Sequence, residues 1–240
     1  NVGAQNLVIT ITGTNDVPTI DGATNPAAIA ESVGASAAQD IPAVTGTITI
    51  TDQDLGDTLT VTVQGNAAAS YNGGAVPVEN SVDVAALVAS GAVSFAALSS
   101  DGEQQTINWT YNPAAADLDW LRAGDTLTLT YVAQVDDGAG NVGAQNLVIT
   151  ITGTNDVPVL SDTTDPSAVL EFTNASAQDL APITGSFAVA DADLGDSLTP
   201  SVVGSPTVLL NGSAFSIISC TEVFTASISG SSTRRQPGGW

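Results

Sequence analysis

One stretch of this chain occurs twice without a change: Asn1-Val-Gly-Ala-Gln-Asn-Leu-Val-Ile-Thr-Ile-Thr-Gly-Thr-Asn-Asp-Val-Pro18 returns as Asn141 to Pro158. In each copy Leu, Ile and Ile alternate with Val, Thr and Thr, the period of two of a β-strand with one face in a core. A Gly, an Asn-Asp pair and a Pro follow, a cluster that ends sheet pairing and leaves a short connector carrying a carboxylate. A strand and connector recurring at a spacing of 140 residues is too long for a solenoid repeat and marks tandem domains. Residues 1–18 then read as the last strand and exit linker of a preceding module, 19–158 as a complete module, and the chain as a fragment of something longer.

Within 19–158 the alternation continues. Pro26 to Ser32 reads as an edge strand leading to Glu31, and Thr45 to Thr51 points Ile48 and Ile50 inward. Thr58 to Gln64 returns with Leu59, Val61 and Val63 on one face, so the pair around Asp52-Gln-Asp54-Leu-Gly-Asp57 carries a hairpin signal. Ser81 to Ala89 has the start signal of one or two helical turns. Gln105 to Tyr111 aligns Ile107, Trp109 and Tyr111 as a core strand, and Pro113 to Arg122 reads as a short helix whose Trp120 caps the core. Asp125 to Val135 is the longest alternating run, turned by Asp136-Asp-Gly-Ala-Gly-Asn141 into the repeated strand as a second hairpin. Six or seven strands joined by Gly, Asp and Asn turns predict an all-β fold, an antiparallel β-sandwich of immunoglobulin-like type with a barrel as the alternative.

From Val159 a second unit matches the first, with Asp191-Ala-Asp193-Leu-Gly-Asp196 answering Asp52-Gln-Asp54-Leu-Gly-Asp57. The match fades after about Ile218, so 159–218 reads as an incomplete module and 219–240, with the only Cys and two of the three Arg, as a divergent tail, expected to be loosely packed over 225–240.

Against 25 Asp plus Glu the chain has three Lys plus Arg, for a formal net charge of -22. Binding a phosphate backbone needs the cations this chain lacks, so nucleic acid is not an expected partner. With 43% hydrophobic residues the composition is that of a folded β protein, not of an acidic disordered tail. So much self-repelling carboxylate calls for high salt or divalent cations, which points outside the cell. The absence of His and the single Cys exclude imidazole triads, His-ligated zinc and Cys-clustered metals. No run approaches the roughly 18 apolar residues of a membrane span, so membrane insertion is not expected.

Asn108-Trp-Thr-Tyr, Leu118-Asp-Trp-Leu-Arg-Ala-Gly-Asp-Thr-Leu, Val135-Asp-Asp-Gly and Ile149-Thr-Ile-Thr-Gly-Thr-Asn-Asp-Val-Pro together resemble the VCBS repeat family of very large bacterial surface proteins. The resemblance covers 1–18, 19–158 and 159 to about 218. It implies tandem cadherin-like or immunoglobulin-like sandwiches of an RTX-type adhesin, exported by type I secretion, whose partners are the neighbouring modules of the same chain. A looser similarity extends to cadherin repeats, whose junctions bind calcium. It implies linker ligands at Asn15, Asp16, Asn155 and Asp156, an Asp-x-Asp pair at Asp52 and Asp54 and again at Asp191 and Asp193, and further carboxylates at Asp136, Glu31 and Asp119. Leu121 stands where the cadherin motif that begins at Leu118-Asp119 has Glu.

The chemistry fits calcium, which takes six to eight oxygen ligands, several of them carboxylate. Alternate residues of a strand end share a face, so Asp-x-Asp points two carboxylates the same way. On this reading Glu31, Asp119, Asn155 and Asp156 lie at the exit end of one sandwich and Asp191 and Asp193 at the entry end of the next, so the cluster assembles only where modules meet. The competing reading of each Asp is a turn residue bonded to its own backbone. Acidic pairs in Gly-containing turns do not build an enzyme pocket, and the chain is expected to be non-enzymatic. The functional alternative to a calcium-stiffened extender of an adhesin is a carbohydrate-binding module in which Trp109, Tyr111 and Trp120 stack on sugar; in-phase aromatics of a strand are more often core.

Overall fold

A computed structural model describes residues 3–34, 40–140, 142–173, 180, 182–204, 207, 209–211 and 213–214. The 219–240 tail lies outside the described residues. The chain divides into two compact units, Asn1–Asn155 and Asp156–Trp240.

Unit 1 is all-β apart from short helical turns. Its elements are β1 (Thr19–Ala23), β2 (Ile29–Ala30), β3 (Val44–Thr51), β4 (Thr58–Val63), β5 (Ala68–Tyr71), α1 (Ser81–Val88), β6 (Val93–Phe95), β7 (Leu98–Ser99), β8 (Gln104–Tyr111), β9 (Thr126–Asp136) and β10 (Val142–Thr152). One sheet has the order β1-β3-β8-β6 and the other β2-β10-β9-β4-β7, with β5 also paired to β9. The pairings are antiparallel except that β2 runs parallel to the end of β10, at Ile151↔Ile29 and Thr152↔Ala30. The inward phases predicted from alternation make the core between the sheets. Ile48, Trp109, Tyr111, Leu127, Leu129, Tyr131, Val135, Leu147, Ile149 and Ile151 are each at most 1% exposed. The β9–β10 hairpin pairs without interruption from Val142↔Asp136 to Thr152↔Thr126.

Two expectations need correction. β3 and β4 do not form a hairpin: β3 pairs with β1 and β8, whereas β4 pairs with β9 and β7 in the opposite sheet. Alternation fixes which face of a strand is apolar but not which strand lies beside it, and the acidic connector 52–57 crosses from one sheet to the other. Residues 113–122 form no helix. There the Asp40 carboxylate accepts the Leu118 N–H, Asp117 Oδ1 accepts the Asp119 N–H at 3.3 Å, and Leu118, Trp120 and Leu121 are buried. Side-chain acceptors take donors that a helix would use, and burial favours the turn that places three large side chains inward.

The predicted capping role of Trp120 holds: it is 4% exposed and packs on Tyr71 with ring centroids 5.4 Å apart. Residues 3–18 carry no strand, although β10 has the same sequence.

In unit 2, β11 (Val159–Ser161) pairs with β12 (Ala188–Ala190), and β13 (Leu209–Leu210) with β14 (Ser213–Ala214). The pairs Val159↔Ala190 and Leu160↔Val189 repeat Thr19↔Thr51 and Ile20↔Ile50 of unit 1, so the sequence repeat is also a repeat of register. Among the described residues of unit 2 the only buried side chains belong to Asp156 and Asp193.

Candidate metal centres

β3 runs the length of unit 1, from Val44 near Asp40 to Thr51 beside Asp52. Eight strand residues span about 25 Å, so two groups of acidic residues sit at opposite ends of the sandwich.

At the exit end, Glu31 follows the short β2 and donates its N–H to the Thr152 carbonyl at 3.0 Å. Its Oε1 accepts the N–H and the hydroxyl of Thr154, both at 2.7 Å. Asp40 comes next in the chain, its carbonyl accepting from Ser32 N at 2.9 Å and its carboxylate from Leu118 N. That bond brings up Asp119. Glu31, Asp40 and Asp119 are 3%, 0% and 4% exposed, and one carboxylate oxygen from each lies within 4.8 Å of the others. Carboxylates this close repel one another in a buried site, and a bound cation would relieve that repulsion. Arg122, the only basic side chain among the described residues, pairs through Nε with Asp125 Oδ2 at 3.4 Å.

Glu31 and Asp119 were selected from sequence; Asp40 was not. A signal was present, because Gln39-Asp40 recurs as Gln178-Asp179 in the second repeat. The triad also corrects the expectation that carboxylates gather only where modules meet, since all three belong to unit 1.

At the entry end, Asp52 Oδ1 accepts the Asp54 N–H at 3.2 Å, and Asp54 Oδ2 accepts the Asp16 N–H at 2.6 Å. Asp52 is 2% exposed, and its Oδ2 has no hydrogen-bond partner among the described residues. Asn15 donates from Nδ2 to Asp137 Oδ2 at 2.9 Å, while the selected Asp136 accepts the Gly138 N–H of its own turn at 2.7 Å. Thus, of the adjacent Asp136 and Asp137, it is Asp137 that accepts from Asn15, while Asp54 accepts from Asp16. The bond from Asn15, aided by the Ala139 N–H, lowers the pKa of Asp137 below the usual carboxylate value. That of Asp57 is raised, first by desolvation and then by the charges of Asp52, Asp54 and Asp137.

Unit 2 repeats this arrangement. Asp156 N donates to Asp193 Oδ2 at 2.8 Å, and Asp193 N to Asp191 Oδ1 at 3.2 Å. Asp193 is 4% exposed, and its Oδ1 has no partner among the described residues. Desolvation raises its pKa, the Asp156 N–H opposes that, and the charges of Asp196, Asp156 and Asp191 add to the rise. Asn155 is exposed at the end of unit 1.

Trp109, Tyr111 and Trp120, the candidates for stacking on sugar, are buried. Trp109 and Tyr111 are 0% exposed, and Tyr111 donates its hydroxyl to the Leu87 carbonyl at 3.1 Å. Burial pushes the phenols of Tyr111 and Tyr131 well above their ordinary pKa.

No family model matches the chain, and no curated protein does. Among solved structures it is similar to the ASH/PapD-like domain of human CEP192 (PapD-like domain 7), at 8% identity over 64% of this chain and 96% of that one, with a TM-score of 0.29. No helix among the described residues is long and apolar enough to cross a membrane.

Proposed function

We propose that this chain is a structural extender: tandem sandwich modules of cadherin-like or immunoglobulin-like type that bind calcium and serve as a spacer in a large, secreted bacterial surface adhesin, with no catalytic activity. The reading is carried by the buried Glu31, Asp40 and Asp119 triad. Oxygen-only donors with three carboxylates suit a hard divalent cation, and calcium accepts irregular carboxylate geometry more readily than magnesium. A cation there neutralises the triad and ties residues 31–40 to the 118–119 turn and, through Glu31, to Thr154. The twice-built Asp-x-Asp clasp supports the same reading at the entry ends. The VCBS resemblance supplies the setting of an exported adhesin in which such modules stand in series.

Calorimetric and thermal titration of the full chain tests this. Calcium is expected to bind in the range of about 0.1–1 mM known for extracellular modules. At a hundredfold over the dissociation constant it adds about 2.7 kcal/mol to the folded state. Small-angle scattering in calcium is expected to report a stiffer particle than in chelator. Identical melting curves in chelator and millimolar calcium would rule the reading out.

A further inference from the structure

Thr19, at the start of β1, pairs with Thr51 at the entry end of unit 1, whereas Thr152, at the end of β10, accepts the Glu31 N–H at the exit end. The chain thus enters and leaves this sandwich at opposite ends of its strands. A pull on the two flanks of unit 1 runs along the strands, and the hydrogen bonds of a sheet lie across them. Bonds loaded in that way are sheared and must give way together. Bonds of a hairpin pulled open at its tips are peeled one after another.

Both terminal segments of unit 1 are loaded in shear. β1 is drawn toward the entry end against β3, over the pairs from Thr19↔Thr51 to Ala23↔Ile48. β10 is drawn toward the exit end against β9, over the run from Val142↔Asp136 to Thr152↔Thr126. Between β1 and β2 the chain changes sheets, and side chains fasten it on the way. Thr24 Oγ1 accepts the Thr47 N–H at 2.7 Å, and Asn25 Oδ1 accepts the Val148 N–H of β10 at 3.0 Å. β2 then meets β10 in parallel, so the two ends of the unit pull these strands past each other in opposite directions. The pairing covers only Ile29 and Ala30, but Glu31 extends it. Its N–H bonds the Thr152 carbonyl, and its Oε1 takes both donors of Thr154, each at 2.7 Å. Glu31 is buried, so water does not compete for these bonds.

We propose that unit 1 is a load-bearing module whose mechanical clamp is the β2–β10 patch, fastened by the bonds between Glu31 and Thr154. Tension between residues 18 and 155 is held there before the core opens. The source of that tension rests on the spacer reading; the resistance belongs to the strand order of unit 1 and needs no cation. Survival under load is set by the unfolding barrier, so bonds broken on the way to that barrier count and bonds still intact there do not.

Single-molecule force spectroscopy in chelator tests this, on the full chain with Cys220→Ser tethered through its two ends. Opening of unit 1 is identified by a contour-length gain of about 450 Å. A second tether, through Ala123→Cys and Val157→Cys, pulls on the start of β9 and the end of β10 from the same end of the sandwich and peels that hairpin. Under equal load its lifetime is expected to be shorter by about tenfold or more, because the bonds then break singly. End to end, Thr154→Val is expected to shorten the lifetime by about fivefold or more, and Thr154→Ser to restore it. Tyr71→Phe, whose bond to Asp125 lies outside the clamp, is expected to lower stability to denaturant yet keep the lifetime under load within about twofold of the parent. Equal lifetimes for the two tethers overturn the proposal, as does a Thr154→Val chain that survives load as long as the parent. The comparison of tethers involves no clamp variant and decides the matter if Thr154→Val does not fold. Millimolar calcium is expected to lengthen the end-to-end lifetime further; a lifetime that calcium leaves unchanged counts against the calcium reading and not against the clamp.

Discussion

The main-chain N–H of Asp156 donates to Oδ2 of Asp193 at 2.8 Å, and the corresponding N–H of Asp16 donates to Asp54 at 2.6 Å. In each unit an Asp main-chain N–H is bonded to the Asp-x-Asp turn that follows it in the same unit. The clasp is built from the same residues on both occasions, and each time a buried carboxylate oxygen beside it, on Asp52 or Asp193, lacks a hydrogen-bond partner among the described residues.

That oxygen gives a first prediction. Asp52→Asn keeps an acceptor for the Asp54 N–H but removes a charge. Calcium affinity at the entry end is expected to fall by at least the roughly 10–100-fold seen on removing even an outer-shell partner, while melting in chelator stays level or rises. Equal calcium isotherms for Asp52→Asn and the parent chain would exclude Asp52 as a ligand.

Asp40 gives the second. Asp40→Asn retains an oxygen for the Leu118 N–H, so the local bond survives. In chelator the substitution is expected to be neutral or stabilising by about 1 kcal/mol, because like charges in a buried site repel. In saturating calcium the sign reverses and the variant melts lower than the parent. A variant that melts lower by the same amount in both conditions would show that Asp40 acts through its hydrogen bond alone.

A third prediction concerns the core. A Cβ at Gly46 would stand 2.8 Å from the Thr24 carbonyl oxygen and closer still to the Trp109 ring. Gly46→Ala is expected to cost about 3 kcal/mol, at the upper end for overpacking. Trp109→Ala is expected to cost about 3–5 kcal/mol. Chemical denaturation in chelator measures both, and Gly46→Ala in a Trp109→Leu background should cost less if the ring is the obstacle.

The fourth is a pH dependence. Desolvation raises the pKa of Asp125, but hydrogen bonds from the Tyr71 hydroxyl at 2.6 Å and Asn72 at 2.9 Å, with the Arg122 charge, outweigh it and leave the folded value below 3.8. A carboxylate whose folded pKa is lowered adds stability that is present above its unfolded value and lost as pH falls through the folded one. Tyr71→Phe is expected to cost about 1–2 kcal/mol at pH 7 and progressively less below pH 3.8. A cost that does not change between pH 7 and pH 2.5 would remove Asp125 ionisation from the account.

The sequence by itself determined the period-two faces of β3, β8, β9 and β10, and hence the core. Each inward residue from Ile48 to Ile151 follows from alternation, because consecutive side chains on a strand must leave on opposite sides. It also determined the repeat, whose β11–β12 register follows that of β1–β3. Only the tertiary structure decided that β3 and β4 belong to different sheets, since pairing partners are chosen by long-range packing that a local pattern does not encode. It alone turned 113–122 away from a helix, where the Asp40 carboxylate takes the Leu118 N–H and burial of Leu118, Trp120 and Leu121 outweighs a weak helical propensity. The same contact decided the acidic cluster. Asp40 and Asp119 lie far apart in sequence, and only folding closes three carboxylates to within 4.8 Å.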